Sequence, residues 1–152
     1  MTRRGVVIGG AALIGAAFAA IAITLQQDDD IVLQHNDAEI VASGQAVYDT
    51  YCASCHGVNL EGQENWRSPG ADGRLPAPPH DETGHTWHHN GHTLFGLTKY
   101  GVAAAIGDPD YASNMPIYDG VLSDDEIIAV LSYIKSTWPA EIRARHDAME
   151  RR

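Results

Sequence analysis

Two cysteines and a histidine stand almost side by side in this chain. Cys52, Cys55 and His56 lie in the stretch YDTYCASCHGVNLEG, which starts at Tyr48, and the chain has no other cysteine. Thiols and an imidazole at this spacing admit four chemistries: a disulfide, a zinc site, a thiol redox pair or covalent attachment of a haem. A bridge from Cys52 to Cys55 would close a tiny loop and staple almost nothing. Zinc needs a fourth ligand and normally uses two separated ligand pairs. A thioredoxin-like pair needs a preceding strand, whereas a helical pattern precedes this one.

What remains is Cys-x-x-Cys-His, the attachment signature of c-type haem. The two thiols add to the vinyl groups of the porphyrin, and the adjacent imidazole reaches the iron from one face. A thioether as second axial ligand raises the potential of such an iron. Of the three methionines, Met1 opens the chain and Met149 lies near its end, which leaves Met115. Pro116 behind it stiffens the backbone. The competing reading of Met115 is a core-filling side chain.

The N-terminus sets the compartment. Arg3 and Arg4 are followed by 21 uncharged residues from Gly5 to Leu25. A bilayer-spanning helix needs about 20 apolar residues, and arginines on the short leading side place that side in the cytoplasm. The reading is an uncleaved anchor over residues 1–25, with the rest exported to the periplasmic face of a bacterial inner membrane. Ala17-Phe18-Ala19 and Ala20-Ile21-Ala22 also resemble signal-peptide cleavage sites; the paired arginines resemble a twin-arginine signal, a reading discounted because a haem attached after export lets the chain cross unfolded. Cleavage would make the protein a soluble periplasmic one. Beyond Leu25 the chain carries eight basic and twenty acidic residues, a net charge of −12 with neutral histidines. Nucleic acid and anionic lipid surfaces are poor partners for such a domain; a redox protein with a basic docking face is a better one.

The elements that must position the motif follow from periodicity. Residues 26–36 read as an acidic linker. A helix is expected from Asp37, its N-cap, to Tyr51, with Ile40, Val41, Val47, Tyr48 and Tyr51 as apolar positions. Gly44 inside it costs stability unless another helix approaches there. Residues 57–90 are rich in glycine and proline and read as a long loop, which a wrapped cofactor would justify. HTLFGLTKYGV reads as a short helix ending at Gly101, followed by loop through Met115. Ser123 and Glu126 form a capping box before a helix with Ile127, Val130, Leu131, Ile134 and Trp138 at helical spacing. Pro139 should end or bend it, and residues 139–152 read as a mobile helical tail.

From about Asp37 to Trp138 the sequence resembles the class I c-type cytochromes. The resemblance rests on CASCH, on Gly44 with Tyr48 four residues later, on VLSYIKS with Tyr133, and on NMPIYDG and LSDDEI. It implies an all-α cytochrome c fold, three to five helices around one covalently bound haem c, here preceded by a transmembrane helix. It implies His56 and Met115 as axial ligands. It also implies that a proline carbonyl in LPAPP, of Pro76 or Pro78, accepts a hydrogen bond from the proximal imidazole, which would fix the ring and tune the iron. The activity implied is one-electron transfer, with no catalytic residue of its own. Other roles consistent with the sequence are a haem-bearing accessory subunit of an oxidase or dehydrogenase, and a copper-handling protein.

The segment PPHDETGHTWHHNGHTLFG departs from that pattern. His80, His85, His88, His89 and His92 fall within thirteen residues. His85, His88, His89 and His92 could hold a second metal, copper or zinc, or titrate near neutral pH. Trp87 and one histidine could reach the haem propionates. The plainer reading is a polar, histidine-rich loop.

Overall fold

The computed structural model describes residues 31–151. The anchor segment 1–25 therefore lies outside the described residues. Among the described residues, no helix is long and apolar enough to cross a membrane. They form an all-α fold of six helices with no strand.

Helix α1 runs Ala38–Tyr51 behind its N-cap Asp37, whose carboxylate accepts from the amides of Glu39 and Ile40. Such a cap satisfies amides that have no partner within the helix. A second helical turn, α2, comes next at Ala53–His56 and carries the motif. Helix α3 spans Gly91–Tyr100, capped by the Asn90 side chain and stopped at Gly101. Helix α5 spans Asp124–Thr137, and Ser123 and Glu126 complete the capping box in both directions.

Helices α1 and α5 cross where Gly44 is buried against Ala129 and Tyr133. A methyl group at Gly44 would lie 2.5 Å from the Ala129 carbonyl carbon and 3.0 Å from Tyr133 Cβ. The glycine thus lets two backbones meet. Around this crossing Tyr48, Val47, Ile127, Val130, Leu131, Ile134 and Trp138 form the core with Leu94, Phe95, Tyr118 and Leu122. Burying each large aliphatic side chain contributes about 1.5–3 kcal/mol, so the crossing is the main support of the fold.

Three expectations need correction. Residues 102–106, expected as loop, form a short helix α4 (Val102–Ile106), because Ala103–Ala105 favour helix and Gly107 closes it in the left-handed region. Residues 31–36, expected as linker, pack onto the domain: Leu33 is buried and the Gln34 amide donates to Ser132 Oγ at 2.8 Å. Only residues 26–30 of the linker reading remain, and they lie outside the described residues.

The tail is the third. Residues Ala140–Glu150 form a docked helix, α6. His146 is fully buried and its Nε2–H donates to the His89 carbonyl at 2.9 Å. Lys135 meets Asp147 at 2.5 Å, and Glu150 Oε1 accepts the Gly91 amide at 2.6 Å. These partners lie far apart in sequence, so periodicity within the tail could not reveal them.

Candidate haem-attachment site

The motif sits where α1 ends. Cys52 is the hinge between α1 and α2, and its amide still bonds back to the Tyr48 carbonyl. The next helical turn sets Cys55 and His56. Gly57 comes next with φ of 84°, a conformation that favours glycine, and the chain leaves the helix there. Tyr48 Oη–H donates to the Gly57 carbonyl at 2.9 Å, and Tyr118 Oη–H donates to the Tyr51 carbonyl at 2.8 Å. Two buried tyrosines thus pin the motif at both ends.

Both thiols are free. Burial pushes the Cys52 thiol up to about 11, and Cys55 adds to the effect. A working thiol redox pair uses a lowered thiol, and Cys52 is shifted the other way. His56 is buried, and burial holds its imidazole below the ordinary histidine range, while the hydrogen bond to Pro78 opposes that shift. Its Nδ1 lies 2.8 Å from the Pro78 carbonyl oxygen. A carbonyl can only accept, so Nδ1 carries the proton and Nε2 presents a lone pair. Two free thiols one turn apart, beside a neutral imidazole with Nε2 available, fit covalent attachment of a haem with nitrogen ligation of its iron. Of the two candidate prolines it is Pro78, not Pro76, whose carbonyl makes this bond.

Met115 is half-buried against the core. Its amide donates to Ser113 Oγ at 3.0 Å. Beside it Asn114 Oδ1 accepts from Arg74 Nη1 at 3.1 Å, which ties the methionine loop to the loop after the motif.

The histidine-rich segment divides. Rings of His85 and His88 stack at 4.9 Å, and His89 meets His85 edge-on at 4.9 Å. His88 also stacks on Trp87 at 3.7 Å. His92 lies on α3, outside these ring contacts. Among the described residues, no group of three or more His, Cys, Asp or Glu side chains is arranged to hold a metal ion. Trp87 Nε1–H donates to the Glu82 carbonyl at 3.2 Å, so its polar group is already used within the loop.

His80 goes elsewhere. Its ring stacks on that of His56, with centroids 4.0 Å apart and planes 22° from parallel. Burial holds it well below the ordinary histidine range, and His56 pushes the same way. The sequence offered one hint, its place two residues after Pro78; counting it with the other histidines hid its position.

A helical fold whose CxxCH motif caps its first helix, with the following imidazole tied to a proline carbonyl, defines a haem-binding electron-transfer protein. The cytochrome c family model matches residues 41–138, and the chain belongs to that family. Members bind haem c covalently, and one-electron transfer is the chemistry this group supplies. No curated protein and no solved structure matches the chain.

Proposed function

We propose that the protein is a class I electron carrier with His56 and Met115 as axial ligands. In this reading Gly5–Leu25 anchors it at the periplasmic face of a bacterial inner membrane, and it passes single electrons between redox complexes. The observation that carries the ligand assignment is the His56–Pro78 hydrogen bond at 2.8 Å. It holds the imidazole in the tautomer that can ligate and raises the basicity of Nε2. The surrounding core excludes water from that ring. Met115 supports the second position as the one methionine, among the described residues, packed against the core cluster, and a His/Met pair leaves no open site for oxygen or peroxide. The net acidic charge favours a partner with a basic docking face, since complementary charge speeds encounter.

A haem-stained denaturing gel of membrane and soluble fractions tests attachment and anchoring together. A stained membrane band near 16.4 kDa is expected. A shorter soluble band would remove the anchor, and unstained protein from maturation-competent cells would remove the haem. Met115→Ala should lower the midpoint potential and let carbon monoxide bind the ferrous protein. If neither changes, Met115 is not the ligand.

A further inference from the structure

Residue His80 is held from four directions. Its amide donates to the Leu60 carbonyl at 2.8 Å. Its carbonyl accepts from Trp138 Nε1–H at 2.7 Å, across 58 residues of sequence. Its Nδ1 pairs with Thr86 Oγ1 at 2.6 Å. The edge of the Tyr48 ring closes another side, with centroids 6.2 Å apart and planes 72° from parallel. The turn that returns the chain from His80 to Thr86 is tight. At Gly84 a Cβ would collide with the Pro79 carbonyl oxygen, so this turn needs a glycine. The ring plane of His80 is therefore set by backbone at one end and by a hydroxyl at the other.

That plane lies flat on His56 at 4.0 Å. The two restraints on His56 differ in kind. The bond from Nδ1–H to Pro78 fixes the tautomer and holds one edge of the ring, since Nδ1 lies off the Cβ–Cγ axis. The stack acts on the face and resists tilting about the Cβ–Cγ bond. One restraint holds an edge of the ring and the other covers its face, so both oppose rotation about the same bond.

We propose that His80 is a positioning residue for the haem-ligating imidazole: a clamped, face-on brace whose frame is Thr86 and Trp138. The proposal rests on the haem reading of Cys52, Cys55 and His56. It gives the loop from Pro79 to Asn90 a task in the electron-transfer chemistry. It also separates His80 from the remaining histidines, none of which touches His56 through its ring.

The brace would act on the iron in two ways. A ring free to tilt samples more than one orientation, which spreads the low-spin ferric spectrum. An uncovered face admits water, and a more polar surrounding favours the more highly charged ferric state, so the potential falls.

The test uses the full chain produced in cells that mature c-type cytochromes, as wild type, His80→Ala, His80→Phe and Thr86→Val. Covalent haem is read first by haem stain. The ferric electron paramagnetic resonance spectrum and the midpoint potential are then measured. All four proteins should carry haem. His80→Ala should broaden or shift the g values and move the reduction equilibrium toward ferric by up to about tenfold, about 59 mV for one electron. Thr86→Val, which keeps shape and removes the hydroxyl, should move both readouts the same way and less. His80→Phe keeps a flat ring on His56 and should restore values near wild type. A haem-loaded His80→Ala with wild-type spectrum and potential overturns the brace and leaves the haem reading standing. Should His80→Ala not fold, wild-type readouts in Thr86→Val overturn it. A wild-type chain without covalent haem overturns the haem reading itself, and the proposal with it.

Discussion

Placing a methyl group at Gly44 tests the architecture most directly. In Gly44→Ala the new Cβ meets the Ala129 carbonyl carbon at 2.5 Å and Tyr133 Cβ at 3.0 Å. Ordinary contact begins near 3.4 Å, and the Ala129 carbonyl oxygen lies closer still than its carbon, so α1 and α5 must part locally by more than about 1 Å. The obstacle is backbone of a helix buried along that face, not the end of a mobile side chain. Overpacking of this kind costs about 1–3 kcal/mol, and a backbone clash belongs at the upper end. Alanine returns about 1 kcal/mol of helix propensity. The net loss is about 2 kcal/mol, or about 8 °C in Tm for a domain of this size. Gly96→Ala is the matched control. Gly96 lies inside α3, and a Cβ there meets nothing within 4 Å, so that variant gains about 1 kcal/mol. Urea unfolding of the haem-loaded proteins, monitored by circular dichroism and Soret absorbance, should therefore separate the two variants by about 3 kcal/mol. A Gly44→Ala protein as stable as Gly96→Ala would refute the close crossing.

Other expectations concern the docked C-terminal helix and the caps. Burial, then Lys135, holds His146 below its ordinary range, and burial, then Lys135, does the same for His35. Unfolded histidine titrates near pH 6.5, so their contribution is complete above about pH 6.5 and falls as pH drops toward the lowered folded values. Unfolding free energies should decline from pH 7 to pH 5, chiefly through His146, whose ring is fully buried, while His35, only partly buried, contributes less because solvent screens it. His146→Gln should flatten that decline, and an unchanged slope would exclude His146 as a contributor. Asp147→Asn leaves the buried Lys135 ammonium without its partner; because Asp147 itself keeps 39% of its surface exposed, the cost should be about 2 kcal/mol rather than the 3–5 of a fully buried pair, measurable by the same unfolding. Ser123→Ala removes one half of the capping box and should cost about 1 kcal/mol, with no change in the visible spectrum.

Much of the frame was legible in the sequence because it is local. Asp37 and Ser123 announce helix starts through bonds to residues two or three further on. Gly101 announces a stop. The apolar spacing of Ile127, Val130, Leu131 and Ile134 marks the inner face of α5 without reference to any partner. The attachment motif is equally local, since Cys52, Cys55 and His56 share one turn. Pairings across the chain were beyond the reach of periodicity. Lys135 with Asp147, His146 with the His89 carbonyl and Trp138 with the His80 carbonyl each join segments whose approach is set by packing. The tail read as mobile for this reason: its own sequence is polar, and its anchors lie on α5 and in the loop. His80 read as one histidine among five, although a clamped ring on His56 is a different object from an exposed imidazole at His85 or His88.

The docked tail also bears on the haem side of the molecule. The family match stops at Trp138, and α6 begins two residues later. Yet Trp138 is held by side chains of α6: Arg143 Nη1 donates to its carbonyl at 2.5 Å, and His146 packs on its ring at 5.2 Å. Trp138 in turn donates to His80, and His80 lies on His56. A continuous series of contacts therefore runs from a helix outside the matched region to the imidazole beside the thiols. Loosening α6 should reach the proximal ring through Trp138 and His80, and should reach Met115 less, because the side-chain bond that holds its loop runs through Asn114 to Arg74 and not to α6.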